Sequence, residues 1–193
     1  MTIRPATSAD YEQIARICLL TGATSQDATG LFSNDATLSD VYATPYLHGP
    51  GGFCLVWDVD GEARGYVLGT DDTRAFQEWF TREWWPSRAA SHPPRTEGDG
   101  WLLPEAENPA RTLIDRVDEF PAHLHIDLLP DQQGKGAGRA LIDACVALLR
   151  ERGVPGLHLV AEKANAGAQA FYPRVGFEAI EEAETVVTFA RRL

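Results

Sequence analysis

Three cysteines are all that 193 residues offer, and Cys18, Cys54 and Cys145 lie far apart, each in an apolar stretch. There is no CxxC pair and no Cys/His ligand spacing. The pattern therefore indicates neither a disulfide framework nor a zinc site, and no metal is expected. A reduced, cytoplasmic setting is the simplest expectation. No apolar run approaches the roughly 20 residues needed to cross a bilayer, so no membrane partner is expected. The first residues, Ile3-Arg4-Pro5 with acidic side chains soon after, do not read as a signal peptide. Positive charge is also scarce: 17 basic residues stand against 28 acidic ones, a formal net charge of -11. Binding to phosphate backbones needs a basic face, so nucleic acid is not an expected partner. Solubility accounts for the acidic excess, and a cationic substrate is compatible with it.

What is present is an ordinary apolar fraction on a chain long enough for one domain, with no internal repeat. A short strand is expected from Thr2 to Ala6. Ser8 reads as the N-cap of a helix carrying Tyr11, Ile14, Ile17 and Cys18 at helical spacing and ending at Gly22. A second short helix is expected between Leu38 and Leu47. Phe53–Val59 and Ala63–Gly69 read as a hairpin around Asp60-Gly61. Arg74–Trp85 has helical spacing, whereas 86–108 is rich in Pro, Gly, Ser and charge and reads as loop. Leu124–Leu129 and Leu157–Ala161 read as strands, 136–152 and 166–175 as helices, the second capped by Asn165, and Thr185–Ala190 as a closing strand. The class is α/β: one domain over 1–193, with an insertion of about 71–121 between the third and fourth strands.

The most informative stretch runs from Leu128 through Gln133-Gly134-Lys135-Gly136-Ala137-Gly138-Arg139. An apolar strand enters a glycine-rich turn that opens an amphipathic helix. Without Cβ atoms the backbone N–H groups of such a turn can converge on an anion. The helix start adds unpaired donors, and Lys135 and Arg139 add full charges. Physically this is a site for a phosphate or pyrophosphate. Neither the dinucleotide fingerprint nor the P-loop spacing fits.

What does fit is Gln-x-x-Gly-x-Gly, from Gln133 through Gly136 to Gly138, which resembles the acyl-CoA signature of the GNAT acyltransferases. A second segment, Asn165-Ala166-Gly167-Ala168-Gln169-Ala170-Phe171-Tyr172-Pro173-Arg174-Val175-Gly176-Phe177, resembles that superfamily's Asn-x-x-Ala-x-x-Phe-Tyr-x-x-x-Gly-Phe. It follows one strand after the first, in the family order. The resemblance implies a GNAT fold, a mixed and mostly antiparallel sheet flanked by helices, with acetyl-CoA as acyl donor. It places the donor on Leu128, Leu129, Gln133, Gly134, Lys135, Gly136, Ala137, Gly138, Arg139, Asn165, Phe171, Tyr172 and Arg174. The Trp-rich insertion, the strand His123–Pro130 and Pro45-Tyr46-Leu47 look similar to the acetyltransferase-like C-terminal domain of O-GlcNAcases and its free-standing bacterial relatives. That eukaryotic domain lacks the glycine loop, which this chain keeps.

The implied activity is N-acetyl transfer to a primary amine of a small molecule or peptide, by a monomer or homodimer. The alternative is a catalytically silent module that binds acetyl-CoA or a peptide. The resemblance puts Tyr172 near the thioester sulfur as the candidate acid, with a phenol pKa of about 10 close to that of a thiol. His123, His125 and Asp127 alternate and so share one strand face. Asp127 or His125 is then the candidate proton acceptor; the other readings are a buried polar cluster and a sheet face turned to solvent. Tyr46, Trp84 and Trp85 are candidates to line an acceptor pocket, with core packing as the other reading for the tryptophans. One helical step separates Trp84 from Trp85 by about 100°, so at least one is expected to be partly exposed. The insertion is expected to form a wall or lid on the acceptor side.

Overall fold

The computed structural model describes residues 1–193. Seven strands, β1 (Thr2–Pro5), β2 (Gly52–Val59), β3 (Glu62–Thr70), β4 (Ala122–Leu128), β5 (Gly156–Glu162), β6 (Glu178–Glu182) and β7 (Val186–Arg192), form one sheet in the order β1-β2-β3-β4-β5-β7-β6. Every neighbouring pair is antiparallel except β4 and β5. Those two strands pair only at Ala122↔Leu157 and His123↔His158 and then diverge. The sheet is thus split along its middle beyond His123.

Six helices cover the sheet: α1 (Tyr11–Thr21), α2 (Ala36–Tyr42), α3 (Thr73–Trp79), α4 (Glu97–Glu107), α5 (Ala137–Glu151) and α6 (Ala166–Arg174). The period-two alternation of the strands feeds two cores. Tyr66 and Leu68 of β3 face one core, with Ile14, Ile17, Leu38, Val41 and, from the insertion, Phe76, Phe80, Trp84, Trp85 and Leu102. Val67 of β3 and Leu124 of β4 face the other, with Leu141, Ile142, Cys145 and Leu149 of α5 and Tyr172 of α6.

Several sequence expectations are corrected. The cap at the first helical turn is Thr7, not Ser8: Ser8–Asp10 is a 3-10 turn, and Thr7 and Asp10 form a reciprocal capping box. Residues 86–108 are not loop throughout, because α4 occupies Glu97–Glu107. A second capping box, Thr96 with Asp99, starts α4, and Leu102 and Ala106 bury completely. Trp84 and Trp85 are both only 5% exposed. Helix α3 runs into a π-turn over Phe80–Trp84, closed by Trp85 N–H donating to the Phe80 carbonyl at 2.9 Å, and the wider turn brings both rings inward. Strand β6 was not foreseen. Its sequence Glu-Ala-Ile-Glu-Glu is that of an edge strand, charged where no further strand can pair.

The start of α1 is tied to the sheet by ions. Arg4 donates to both carboxylate oxygens of Asp10 at 2.8 Å and to Asp58 at 2.7 Å, while Thr7 donates N–H and hydroxyl bonds to Asp10. The Arg4 guanidinium is the main reason the Asp10 carboxyl is held well below the usual carboxylate range. A carboxyl depressed in the folded state contributes stability above its unfolded pKa of about 3.9, and that contribution is lost as pH falls through the folded value. Asp10→Asn is expected to cost about 1–3 kcal/mol at pH 7. The difference from the parent should shrink below about pH 4. Urea denaturation of both proteins at the two pH values checks this, and an equal difference at both would exclude the ionic origin.

Candidate functional site

Where β4 and β5 part, a cleft of about 720 Å³ passes through the sheet. From the α5/α6 side it is lined by Leu128, Gln133, Gly134, Gly136, Gly138, Arg139, Asn165, Phe171, Tyr172 and Arg174. From the α1/α2 side it is lined by Cys18, Thr21, Leu38, Tyr42, His125, Asp127 and the insertion's Trp101. The two groups reach one cleft because alternate residues of β4 point to opposite faces of the sheet.

The turn before α5 has the geometry that an anion cradle requires. Gly134 and Gly136 have φ of +71° and +87°. This geometry turns the chain so that no protein acceptor meets the N–H groups of Gly134, Lys135, Gly136, Ala137, Gly138 and Arg139. Six consecutive free donors at a helix start are suited to a pyrophosphate. The Gln133 side chain donates to the Leu128 carbonyl at 2.9 Å and fixes the loop to β4. Arg139 donates to the Arg174 carbonyl at 2.7 Å, tying α5 to α6. The side chain of Ala137 is buried in the core and that of Leu129 packs on the α1 side, so these residues, like the exposed Lys135, do not line the cleft with side chains. Ala137 and Lys135 belong to the cradle through their backbones.

Asn165 caps α6 by accepting from the Ala168 N–H at 2.9 Å, which leaves its amide N–H₂ as the free end. Beside it, Leu159, Val160 and Ala161 line the cleft along the edge of β5 that β4 has abandoned. These β5 residues escaped the sequence reading, since a strand pairing on one side only is not visible in composition. Tyr172 is packed by Phe171, Phe177 and Phe189, and its hydroxyl has no hydrogen-bond partner within the protein. Burial pushes its phenol pKa up, and Asp127 adds to the effect.

On the other face, Asp127 accepts from the Tyr66 hydroxyl at 2.7 Å, and burial raises its pKa above the ordinary value. His125 is lowered to about 3, by burial first and then by Arg111 and His158, so its ring is neutral at physiological pH. His123 is 4% exposed and does not reach the cleft. Tyr46, Trp84 and Trp85 do not line it either. Tyr46 is 1% exposed, stacked on Phe76 at 4.3 Å. The Trp84 indole donates to the Asp40 carbonyl at 2.8 Å, and Trp85 stacks between Phe80 and His92. On this face the cleft is lined, beside His125, by the aromatic rings of Tyr42 and Trp101, the latter 51% exposed on α4 and set edge-on to Phe32. No group of three or more His, Cys, Asp or Glu side chains is arranged to hold a metal ion, and no helix is long and apolar enough to cross a membrane.

This geometry has counterparts among known proteins. The profile of the acetyltransferase (GNAT) family matches residues 24–177, more than half of the chain. The crystal structure of SsHAT aligns with a TM-score of 0.90 at 37% identity, over 99% of this chain and 97% of that one. The PaiA N-acetyltransferase of Thermoplasma acidophilum in complex with coenzyme A shares the fold, with a TM-score of 0.57 at 12% identity over 100% of each chain. The mycothiol acetyltransferase of Beutenbergia cavernae is 45% identical over 82 residues, 42% of this chain and 26% of its own length. The chain thus spans well under half the length of the curated relatives it matches.

Proposed function

The chain belongs to the acetyltransferase (GNAT) family, and from that premise we propose that it acts as a single domain transferring the acetyl group of acetyl-CoA to a primary amine. The observation that carries the reading is the run of six unbonded N–H groups, Gly134 to Arg139, opening onto a cleft that crosses the sheet. Bound there, acetyl-CoA supplies an activated thioester. The cradle holds the pyrophosphate, with Arg139 and Arg174 adding positive charge nearby. The free edge of β5 at Leu159–Ala161 offers backbone donors and acceptors to an extended amide chain. The Asn165 side-chain N–H₂ is a further donor beside it.

Asp127 and His125 face the acceptor amine from β4. Asp127, its pKa raised by burial, is the better placed to take a proton from an ammonium. His125 is neutral and offers a lone pair. Tyr172 faces the same point from α6 and donates to the departing sulfur. The intact cradle and relatives that are named acetyltransferases give a catalytically silent module no support. The subgroup of O-GlcNAcase-like acetyltransferase domains remains our reading of the 71–121 insertion and of Pro45-Tyr46-Leu47. The match to the mycothiol acetyltransferases covers a small part of those proteins and carries no acceptor over to this chain. Thiol release from acetyl-CoA, measured against a panel of primary amines with tertiary amines as non-acylatable controls, tests the assignment. Release with none of the primary amines, in protein that binds CoA, would exclude it.

The insertion contributes Trp101 to the acceptor side, where Tyr42, Asp127 and Glu162 also lie. Aromatic faces among carboxylates suit a cationic amine. Removing 86–108 would strip Leu102 and Ala106 from the core, so a point substitution is the cleaner probe. Trp101→Ala is expected to raise the acceptor KM several-fold, on the scale of about 1 kcal/mol, and to leave the acetyl-CoA KM unchanged. Steady-state kinetics with each substrate varied in turn checks this. An effect on acetyl-CoA alone would move Trp101 to the donor site.

A further inference from the structure

A chain of four side chains runs from the two ends of the insertion to the cleft. Thr73 Oγ1 lies 2.6 Å from the Pro121 carbonyl oxygen and 2.8 Å from His123 Nδ1. Two oxygens that close need a proton between them, and the carbonyl has none, so the threonine hydroxyl donates to Pro121. Its oxygen is then the acceptor for His123, whose Nδ1 must carry hydrogen.

His123 is buried, and that burial, with His158, His125 and Arg111 nearby, keeps the ring neutral. Its Nε2 is therefore a bare lone pair. Tyr46 Oη, 2.7 Å away, donates to it. Having given its single proton, Tyr46 Oη can only accept at its other contact, His125 Nε2 at 3.0 Å. The last ring is thereby forced into the Nε2–H tautomer. His125 Nδ1 has no partner in the protein, is not among the sealed-off polar atoms, and belongs to a ring lining the cleft.

We propose that Thr73, His123 and Tyr46 are positioning residues that fix the tautomer of His125, so that its Nδ1 presents a lone pair to the acceptor amine beside Asp127. The amine's role rests on the acetyl-transfer reading above; the tautomers do not. In this arrangement Nδ1 accepts one N–H of the amine and holds its direction, while the Asp127 carboxylate takes the proton. The chain also explains why Tyr46 is buried although it lies on the acceptor side: it orients through His125. Because Thr73 and Pro121 bracket the insertion, any distortion of its ends reaches the cleft through this path.

The experiment is nitrogen NMR of the intact, ¹⁵N-histidine-labelled protein together with kinetics. His123 and His125 are expected to show opposite neutral tautomers, Nδ1–H for the first and Nε2–H for the second. Tyr46→Phe is expected to release His125 into a tautomer mixture and lower kcat about tenfold with the acetyl-CoA KM unchanged. Thr73→Val should act in the same direction and Thr73→Ser should restore both readouts. An Nδ1–H tautomer at His125 in the parent protein overturns the proposal whether or not the variants fold. A Tyr46→Phe protein with a shifted tautomer and an unchanged kcat overturns the positioning role. A parent protein that shows the two tautomers but no acetyl transfer to any amine refutes the acetyl-transfer reading instead.

Discussion

Gly136→Val is expected to yield a folded protein that no longer gains thermal stability from coenzyme A. Gly136 stands at φ +87°, immediately before α5. A β-branched residue is strained there, so the turn must rotate and carry its N–H groups out of convergence. A Cβ at this position meets nothing within 4 Å, so the core behind the loop is untouched. The fold and the site are thus separable at this residue. Losing one or two charge-assisted hydrogen bonds to a pyrophosphate, each about 1.5–3 kcal/mol, corresponds to an affinity loss on the order of a hundredfold or more. Differential scanning fluorimetry with and without coenzyme A, backed by calorimetric titration, reads it. A variant with the parent's melting temperature and the parent's coenzyme-induced shift would remove the cradle from the binding site.

That separability is also why the α5/α6 face of the cleft was legible in the sequence. An anion cradle needs glycines at fixed offsets between a strand and a helix; a tight turn also uses such glycines, and the second segment one strand later is what sharpens the reading. The second segment, Asn165 to Phe177, was legible for a similar reason: a cap, an aromatic pair and a turn glycine stand in one order. The alternation of His123, His125 and Asp127 correctly placed all three on one face of β4. It did not separate the residue that is buried from the two that reach the cleft, because burial depends on α1, α2 and the insertion lying over that face.

The α1/α2 face of the cleft was much less legible, for two reasons. Gly98, Gly100 and Pro104 lowered the helical signal of 97–107, yet tertiary contacts override propensity. Gly98 is not a loop signal: a Cβ there would lie 2.5 Å from the Leu31 carbonyl oxygen, so it marks close packing of α4 on the 31–32 turn. The π-turn after α3 adds a residue to one helical turn, and no periodicity argument anticipates it. As a result Trp84 and Trp85 were expected at the cleft, whereas Trp101, in the stretch read as loop, lines it.

Tyr172→Phe is expected to lower kcat by about a hundredfold, toward the low end of the general-acid range, while acetyl-CoA affinity stays within a few-fold. The side chain lines the cleft opposite Asp127, and its hydroxyl is the one polar atom that the substitution removes. Burial first, and Asp127 second, raise the phenol pKa above its ordinary value of about 10. The sign of that shift limits the role. A phenol raised this way stays protonated through the neutral and mildly alkaline range, so it is always available to donate. On the proposed reading it is also a weaker acid than the coenzyme thiol it would face, whose ordinary pKa is about 8.5. Complete proton transfer to the departing thiolate is therefore uphill, and the main contribution is a hydrogen bond to sulfur as negative charge develops. This places the expected loss nearer two orders of magnitude than four. It also means that Tyr172 contributes no alkaline limb to the rate profile below about pH 10. Stopped-flow or coupled-thiol assays of parent and variant across pH decide the point. If the variant keeps the parent's kcat and changes only KM, Tyr172 packs against the donor arm and the departing sulfur leaves without it. If the parent shows an alkaline limb near neutrality that the phenylalanine variant lacks, the phenol is not held protonated by its burial, and it donates its proton outright.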